Sequence, residues 1–186
     1  MSWRAQVASL RAGGVIACPT ETLFGLLADA QSPEAVARVI AIKQRGAAPI
    51  GLLAPDLASV LAQVEMSAQA RALAERYWPG PLSLVLRVRS KHALAPGIVH
   101  EGTVSIRVPG PSPALELVQE FGNVLTATSC NPSGQPAAES DAQVRAYFGQ
   151  AVEIIPGHAA GLASTIVDAT GPALRVLRQG AIALRS

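Results

Sequence analysis

The chain has 186 residues, 49% of them apolar, 4% aromatic and 15% charged, which suits a single domain over 1–186 with a core of Ala, Val, Leu and Ile and excludes a disordered polymer. Its net charge of +2 is too small to argue by itself for a nucleic-acid partner. No run of roughly 18 apolar residues predicts a membrane span, and two distant cysteines, Cys18 and Cys130, form neither a disulfide framework nor a CxxC metal pair, so a reduced cytoplasmic protein is expected.

Residues 3–11 place Trp3, Val7 and Leu10 on one helical face, and Gly13-Gly14 ends that helix. Val15-Ile16-Ala17-Cys18 reads as a buried strand, followed by a polar turn that begins at Pro19. Ser32 and Pro33 open a second helix, with Val36, Val39 and Ile40 as its apolar stripe. Leu52-Leu53 predicts a short strand; Asp56–Val64 and Ser67–Trp78 predict helices, the latter stopped by Pro79-Gly80-Pro81. Leu82, Leu84, Leu86 and Val88 alternate with Ser83, Val85, Arg87 and Arg89, and Thr103–Val108 follows as another strand.

Ser112-Pro113 repeats the cap-and-proline device before a helix ending near Phe121, and Val124–Ala127 predicts a strand. Ser140-x-x-Gln143 predicts a capping box for the last helix. Short strands near 152–155, 164–168 and 174–178 close the chain, the last two joined at Thr170-Gly171. Strands that follow one another without helices predict an α/β (α+β) fold with a mixed sheet.

No phosphate loop, no GxGxxG and no nucleophile elbow is present. His92, His100 and His158 lack metal-ligand spacing and read as loop residues; both cysteines read as small buried side chains. Polar clusters near strand ends are the remaining candidates, because ligands of α/β sheets favour the carboxyl ends of strands. Pro19-Thr20-Glu21-Thr22 offers hydroxyls and a carboxylate to a small polar ligand, or forms a capped turn. Lys43-Gln44-Arg45 either balances a helix dipole or presents charge to phosphates. Ser105 and Arg107 share one strand face, where a guanidinium holds a carboxylate well. Thr126 to Gly134, and Ser164 to Asp168 with Arg175 to Gly180, complete the set.

Taken in order, these clusters resemble the motifs of the YrdC/TsaC family of threonylcarbamoyl-AMP synthases. The matching segments are Pro19–Leu26, Lys43-Gln44-Arg45, Trp78-Pro79-Gly80-Pro81-Leu82-Ser83, Val104–Pro109, Ser129–Gly134, Ser164–Asp168 and Arg178-Gln179-Gly180-Ala181-Ile182. The resemblance implies a YrdC/RibB-like fold, a twisted mixed sheet flanked by helices around a large open cavity. It implies synthesis of L-threonylcarbamoyladenylate and pyrophosphate from L-threonine, bicarbonate and ATP, for threonylcarbamoyladenosine formation in tRNA.

By motif, Thr22, Arg107, Ala127 and Ser164 would hold threonine. Lys43, Arg45, Thr103, Ser129, Asn131, Ala137 and Arg178 would line the ATP side, with Lys43 and Arg45 as the catalytic cations. Mg²⁺ would accompany ATP, with no tightly bound cofactor. The implied partners are the other tRNA threonylcarbamoylation proteins and tRNA or double-stranded RNA, with no membrane.

The segment after Arg45 departs from the pattern: Gly46 stands where proline is usual and Ala48 where Lys or Asn is usual, while Ala54 lies near a position that is His in some members. Cys130 replaces Ala, and Phe24 replaces Tyr. A lysine lost near phosphates removes about 3 kcal/mol of charge stabilisation in a dry site. A paralogue with weak or different nucleotide chemistry, and an RNA-binding module, are the alternative readings.

Overall fold

The structure is a computed structural model that describes residues 2–44, 49–89, 94–159 and 161–184. In chain order the elements are α1 (Arg4–Arg11), β1 (Ile16–Pro19), β2 (Phe24–Leu27), α2 (Pro33–Lys43), β3 (Gly51–Leu53), α3 (Leu57–Gln63) and α4 (Ala68–Tyr77). There follow β4 (Leu82–Arg87), β5 (Thr103–Arg107), α5 (Pro113–Phe121), β6 (Leu125–Ser129), α6 (Asp141–Phe148), β7 (Glu153–Ile154), β8 (Thr165–Asp168) and β9 (Arg175–Arg178).

Helix starts follow local chemistry. The side chains of Ser32, Asp56, Ser67, Ser112 and Ser140 each accept a backbone N–H from the first turn of the next helix, at Ala35, Ser59, Ala70, Leu115 and Gln143. The capping box at Ser140 is corrected in one respect. The Gln143 side chain reaches past Ser140 and accepts the N–H of Glu139 at 2.7 Å, so the reciprocal bond falls one residue early.

Among the described residues the strands form one nine-stranded sheet, ordered β7-β1-β2-β6-β3-β5-β4-β8-β9. Pairs β1–β7, β3–β5 and β4–β8 are parallel, and the remaining pairs are antiparallel. The mixed sheet expected from consecutive strands is therefore present. The polar turn expected to begin at Pro19 is corrected: Pro19 still belongs to β1, the chain turns at Thr20–Leu23, and β2 begins at Phe24, with Gly25 opposite Cys18.

Period-two alternation divides the apolar residues between the two faces of the sheet. Ala17, Leu26, Leu52, Leu82, Leu84, Leu86, Ile106 and Val167 point to one face, packed with Val36 and Val39 of α2, Val60 of α3, Ala70 and Ala74 of α4, and Val144 of α6. Ile16, Cys18, Leu27, Leu53 and Leu125 point to the other, under Val7 and Leu10 of α1 and Leu117, Val118 and Phe121 of α5. Helices α1 and α5 cover only the β1-β2-β6-β3 end of that second face. The β5-β4-β8-β9 end is left open, and the site lies over it and over neighbouring parts of β2, β3 and β6. Among the described residues no helix is long and apolar enough to cross a membrane.

Candidate functional site

Strand β4 shows how the site is made. Its Leu82, Leu84 and Leu86 enter the large core, so Ser83 and Val85 face the other way. Ser105 and Arg107 of β5, Ala127 and Ser129 of β6, Ile166 of β8 and Arg178 of β9 share that orientation and line a cavity of about 420 Å³. That volume is in the range of small-molecule sites. Thr20, Thr22, Leu23, Phe24 and Gly25 form one wall. Thr20 follows β1, and Arg107, Ser129 and Arg178 end their strands as expected, whereas Ser83 and Val85 enter from within β4 and Ile166 from within β8, so the cavity extends across one face of the strands. In a mixed sheet the strand ends do not converge on one edge, and the uncovered face is the available hollow.

Arg107 is only 7% exposed. Its Nη1 pairs with Glu21 Oε1, and its Nη2 lies 3.4 Å from Thr20 Oγ1 and 3.3 Å from Thr22 Oγ1. Burial pushes the Arg107 pKa down, the charge and hydrogen bond of Glu21 pull it back, and the like charge of Arg178 adds to the depression. Two guanidinium groups that repel one another in a shared cavity favour an anion bound there. Glu21, read from sequence as facing a ligand, instead turns to Arg107 and does not line the cavity. Thr20 supports the wall by accepting the N–H groups of Thr22 and Leu23 at 3.1 and 3.2 Å and donating to Leu23 O at 2.7 Å.

At the other side Arg178 donates to Ser164 O from Nε at 3.1 Å and Nη2 at 2.8 Å, and to Ser164 Oγ at 3.2 Å. Burial lowers its pKa. Ser164 Oγ also lies 3.0 Å from Ser83 Oγ. Thr165, inside the same motif, explains why the 164–168 and 178–182 segments occur together. Its hydroxyl donates to Ile182 O at 2.7 Å and accepts from the N–H groups of Gly180 at 3.0 Å and Ile182 at 3.1 Å. Gly180 permits this approach, since a Cβ there would lie 2.1 Å from Ala163 O and 2.8 Å from Ser164 O. Gly180→Ala is therefore expected to push Arg178 away from Ser164. Overpacking of about 1–3 kcal/mol would lower Tm by roughly 2–12 °C, read by thermal melting.

Lys43, the last residue of α2, is 3% exposed despite its charge. Its Nζ donates to Ser129 O at 2.6 Å and Asn131 Oδ1 at 2.9 Å, while its carbonyl accepts from Ser133 N and Oγ, both at 3.1 Å. The helix end and the 129–133 segment are thus clasped through one residue. Burial pushes the neighbouring Cys130 thiol up to about 12, with Lys43 opposing it, and burial also pushes Cys18 up. Both thiols stay protonated and serve packing.

Of the residues singled out in the sequence, Thr22, Arg107, Ala127, Ser129, Ser164 and Arg178 meet at the cavity. Lys43 and Asn131 stand behind Ser129 without lining it. Thr103 and Ala137 do not line it either; the Thr103 hydroxyl donates to His100 O at 2.8 Å. Arg45, Gly46, Ala48 and His92 lie outside the described residues. Asp168 serves the β8–β9 turn, where bonds from Thr170 and Arg175 hold its pKa low. Ser83 was missed as a site residue, although its place opposite three leucines was a usable signal. Among the described residues no group of three or more His, Cys, Asp or Glu is placed to hold a metal ion.

A family model described as "Telomere recombination", covering Sua5, YciO and YrdC, matches residues 8–180. A threonylcarbamoyl-AMP synthase of Idiomarina loihiensis is 37% identical over 166 residues, which is 86% of this chain and 87% of that protein. The fold matches P. abyssi Sua5 complexed with L-threonine at a TM-score of 0.89 and 33% identity, covering 95% of this chain and 53% of that one. It matches E. coli YciO at a TM-score of 0.84 and 25% identity, covering 95% and 88%. The chain spans about half the length of the P. abyssi protein. The extent of these matches places it: the chain belongs to the Sua5/YciO/YrdC family.

Proposed function

We propose that this chain is a threonylcarbamoyl-AMP synthase that makes L-threonylcarbamoyladenylate and pyrophosphate from L-threonine, bicarbonate and ATP. The observation that carries this reading is the buried Arg107 guanidinium set beside the Thr22 hydroxyl, in the cavity of a chain whose relatives bear that name. Arg107 would take the threonine carboxylate, with Thr22 and Ser164 hydroxyls and the backbone at Ala127 fixing the rest of the amino acid. The apolar side chains of Val85 and Ile166 give the lining a surface suited to its methyl group.

Lys43, Arg45, Arg178, Ser129 and Asn131, with Thr103 and Ala137, would serve the ATP side. The threonine amine condenses with bicarbonate to a carbamate and releases water. A carbamate oxygen then attacks the α-phosphorus of ATP, and the bond to pyrophosphate breaks. No side chain forms a covalent bond. The residues supply position and charge neutralisation, which carry most of the rate in phosphoryl-type transfers. The donors lining the cavity are hydroxyls and guanidinium groups, which do not suit a resident metal, so Mg²⁺ would enter as part of the ATP substrate.

The chain would act as one domain in the cytoplasm, and its product would pass to the other proteins of tRNA threonylcarbamoylation. With a net charge of +2 the chain has little electrostatic claim on RNA itself.

Pyrophosphate release with ATP and bicarbonate tests the reading, with mass detection of the adenylate. One methyl group is worth about 10–200-fold in an apolar pocket, so release with L-threonine should exceed release with L-serine by about tenfold or more. Equal release with threonine, serine or no amino acid would sink it.

A further inference from the structure

Arg107 has five donors, and the two ends of its fork face different surroundings. Nη1 is held by Glu21 Oε1, whereas Nη2 faces the Thr20 and Thr22 hydroxyls on the cavity wall. Glu21 stands behind that wall, 15% exposed at its side chain and absent from the lining. Its stem lies against Gly110, where a Cβ would come within 3.0 Å of Cγ and 3.4 Å of Cβ and Cδ. A side chain at 110 would therefore force the Glu21 stem to shift from its seat. Glu21 Oε2 is buried and accepts no hydrogen bond from the described residues, so among them the carboxylate is committed to the guanidinium through a single oxygen. The bond to Nη1 fixes the rotation of the fork, and Nη2 keeps only long bonds of 3.4 and 3.3 Å to the Thr20 and Thr22 hydroxyls on the cavity side, where a carboxylate would be a stronger acceptor.

We propose that Glu21, seated against Gly110 behind the cavity wall, is a positioning residue that fixes the Arg107 fork so that the arm beside Thr22 meets the carboxylate of the amino-acid substrate. The proposal rests on the cavity being an amino-acid site. It concerns the reach of Glu21 more than its charge, and the two can be separated. Glu21→Asp keeps the charge and withdraws the oxygen by one methylene. Glu21→Gln keeps the reach and an acceptor oxygen and removes the charge.

The experiment measures the KM for L-threonine and for ATP, the calorimetric affinity for L-threonine without ATP, and the crystal structure of the unliganded Glu21→Asp variant. A misplacement near 1 Å costs up to about a hundredfold. Glu21→Asp is expected to raise the KM for L-threonine about tenfold with the KM for ATP unchanged, and to move Nη2 away from Thr22 Oγ1. Glu21→Gln should stay within about threefold of wild type, because its amide oxygen still accepts from Nη1. Gly110→Ala, which alters neither charged group, should shift the KM in the direction of Glu21→Asp. Thermal melts of all variants check the fold.

A Glu21→Asp variant with wild-type KM, a Glu21→Gln variant worse than Glu21→Asp, or equal rises in both KM values would overturn the proposal. A fall in the KM for threonine in Glu21→Gln of more than about threefold would also do so, since it would make Glu21 a competitor for the substrate's seat. Wild-type protein that binds no L-threonine would instead defeat the proposed function. The Arg107 fork in the Glu21→Asp crystal would still judge the role of Glu21.

Discussion

Arg107→Ala is expected to cost both stability and activity, by two separable routes. The side chains of the pair are 8% and 15% exposed, so removing the guanidinium leaves a nearly buried carboxylate without its counter-ion. Breaking such a pair costs about 3–5 kcal/mol, or roughly 6–20 °C in Tm for a chain of this size. Glu21 Oε2 already lacks a hydrogen-bond partner among the described residues, so none of them is placed to compensate Oε1. The second route is catalytic. A charge-assisted bond to the threonine carboxylate is worth about 1.5–3 kcal/mol, and kcat/KM for threonine should fall about 10–150-fold. The double variant Glu21→Gln/Arg107→Ala separates the routes. Neutralising position 21 removes the stranded charge, so Tm should recover by half or more while kcat/KM stays low. Recovery of both would mean that Arg107 acts only as a structural ion.

The parts of the fold written in local chemistry were legible in the sequence. Ser32-Pro33 and Ser112-Pro113 open helices because a cap oxygen and a preset φ are properties of the residues themselves. The alternation from Leu82 to Arg87, and the shared face of Ser105 and Arg107, follow from the strand period alone. Strand β2 was hidden because Phe24-Gly25-Leu26-Leu27 is buried on both faces and shows no alternation. Nor did Lys43 show its burial. Its helix-end position suits a solvated cation equally well, and its partners Ser129 and Asn131 are 86 and 88 residues away. The same holds for Glu21, whose partner Arg107 lies 86 residues on. The motif order identified which segments matter. Which side chains face the cavity and which stand behind it depends on the third dimension, and there Ser83 entered the lining while Thr103 and Ala137 did not.

Lys43→Met should act on the ATP side and leave threonine affinity largely intact. Met nearly conserves volume and removes the ammonium. Ser129 O and Asn131 Oδ1 then lose a charged donor at 2.6 and 2.9 Å. Each polar group stripped of a partner in a buried setting costs about 1–3 kcal/mol. Asn131 Oδ1 keeps the Ser129 hydroxyl at 2.6 Å, which places the net loss near the lower end, about 1–3 kcal/mol in total. The 129–133 segment also keeps its bonds to the Lys43 carbonyl, because those use only backbone atoms of residue 43. The loop should therefore remain seated while its charge disappears. Lys43 stands one residue behind the lining, and a single charge acting on phosphates in a low-dielectric site is worth about 3 kcal/mol. The rate at saturating threonine should fall about a hundredfold, and the KM for ATP should rise more than the KM for threonine. Steady-state kinetics with each substrate varied in turn reads the split. Equal effects on both substrates would show that Lys43 only holds the loop. A larger effect on threonine would place the phosphates at the opposite end of the cavity, beside Arg107.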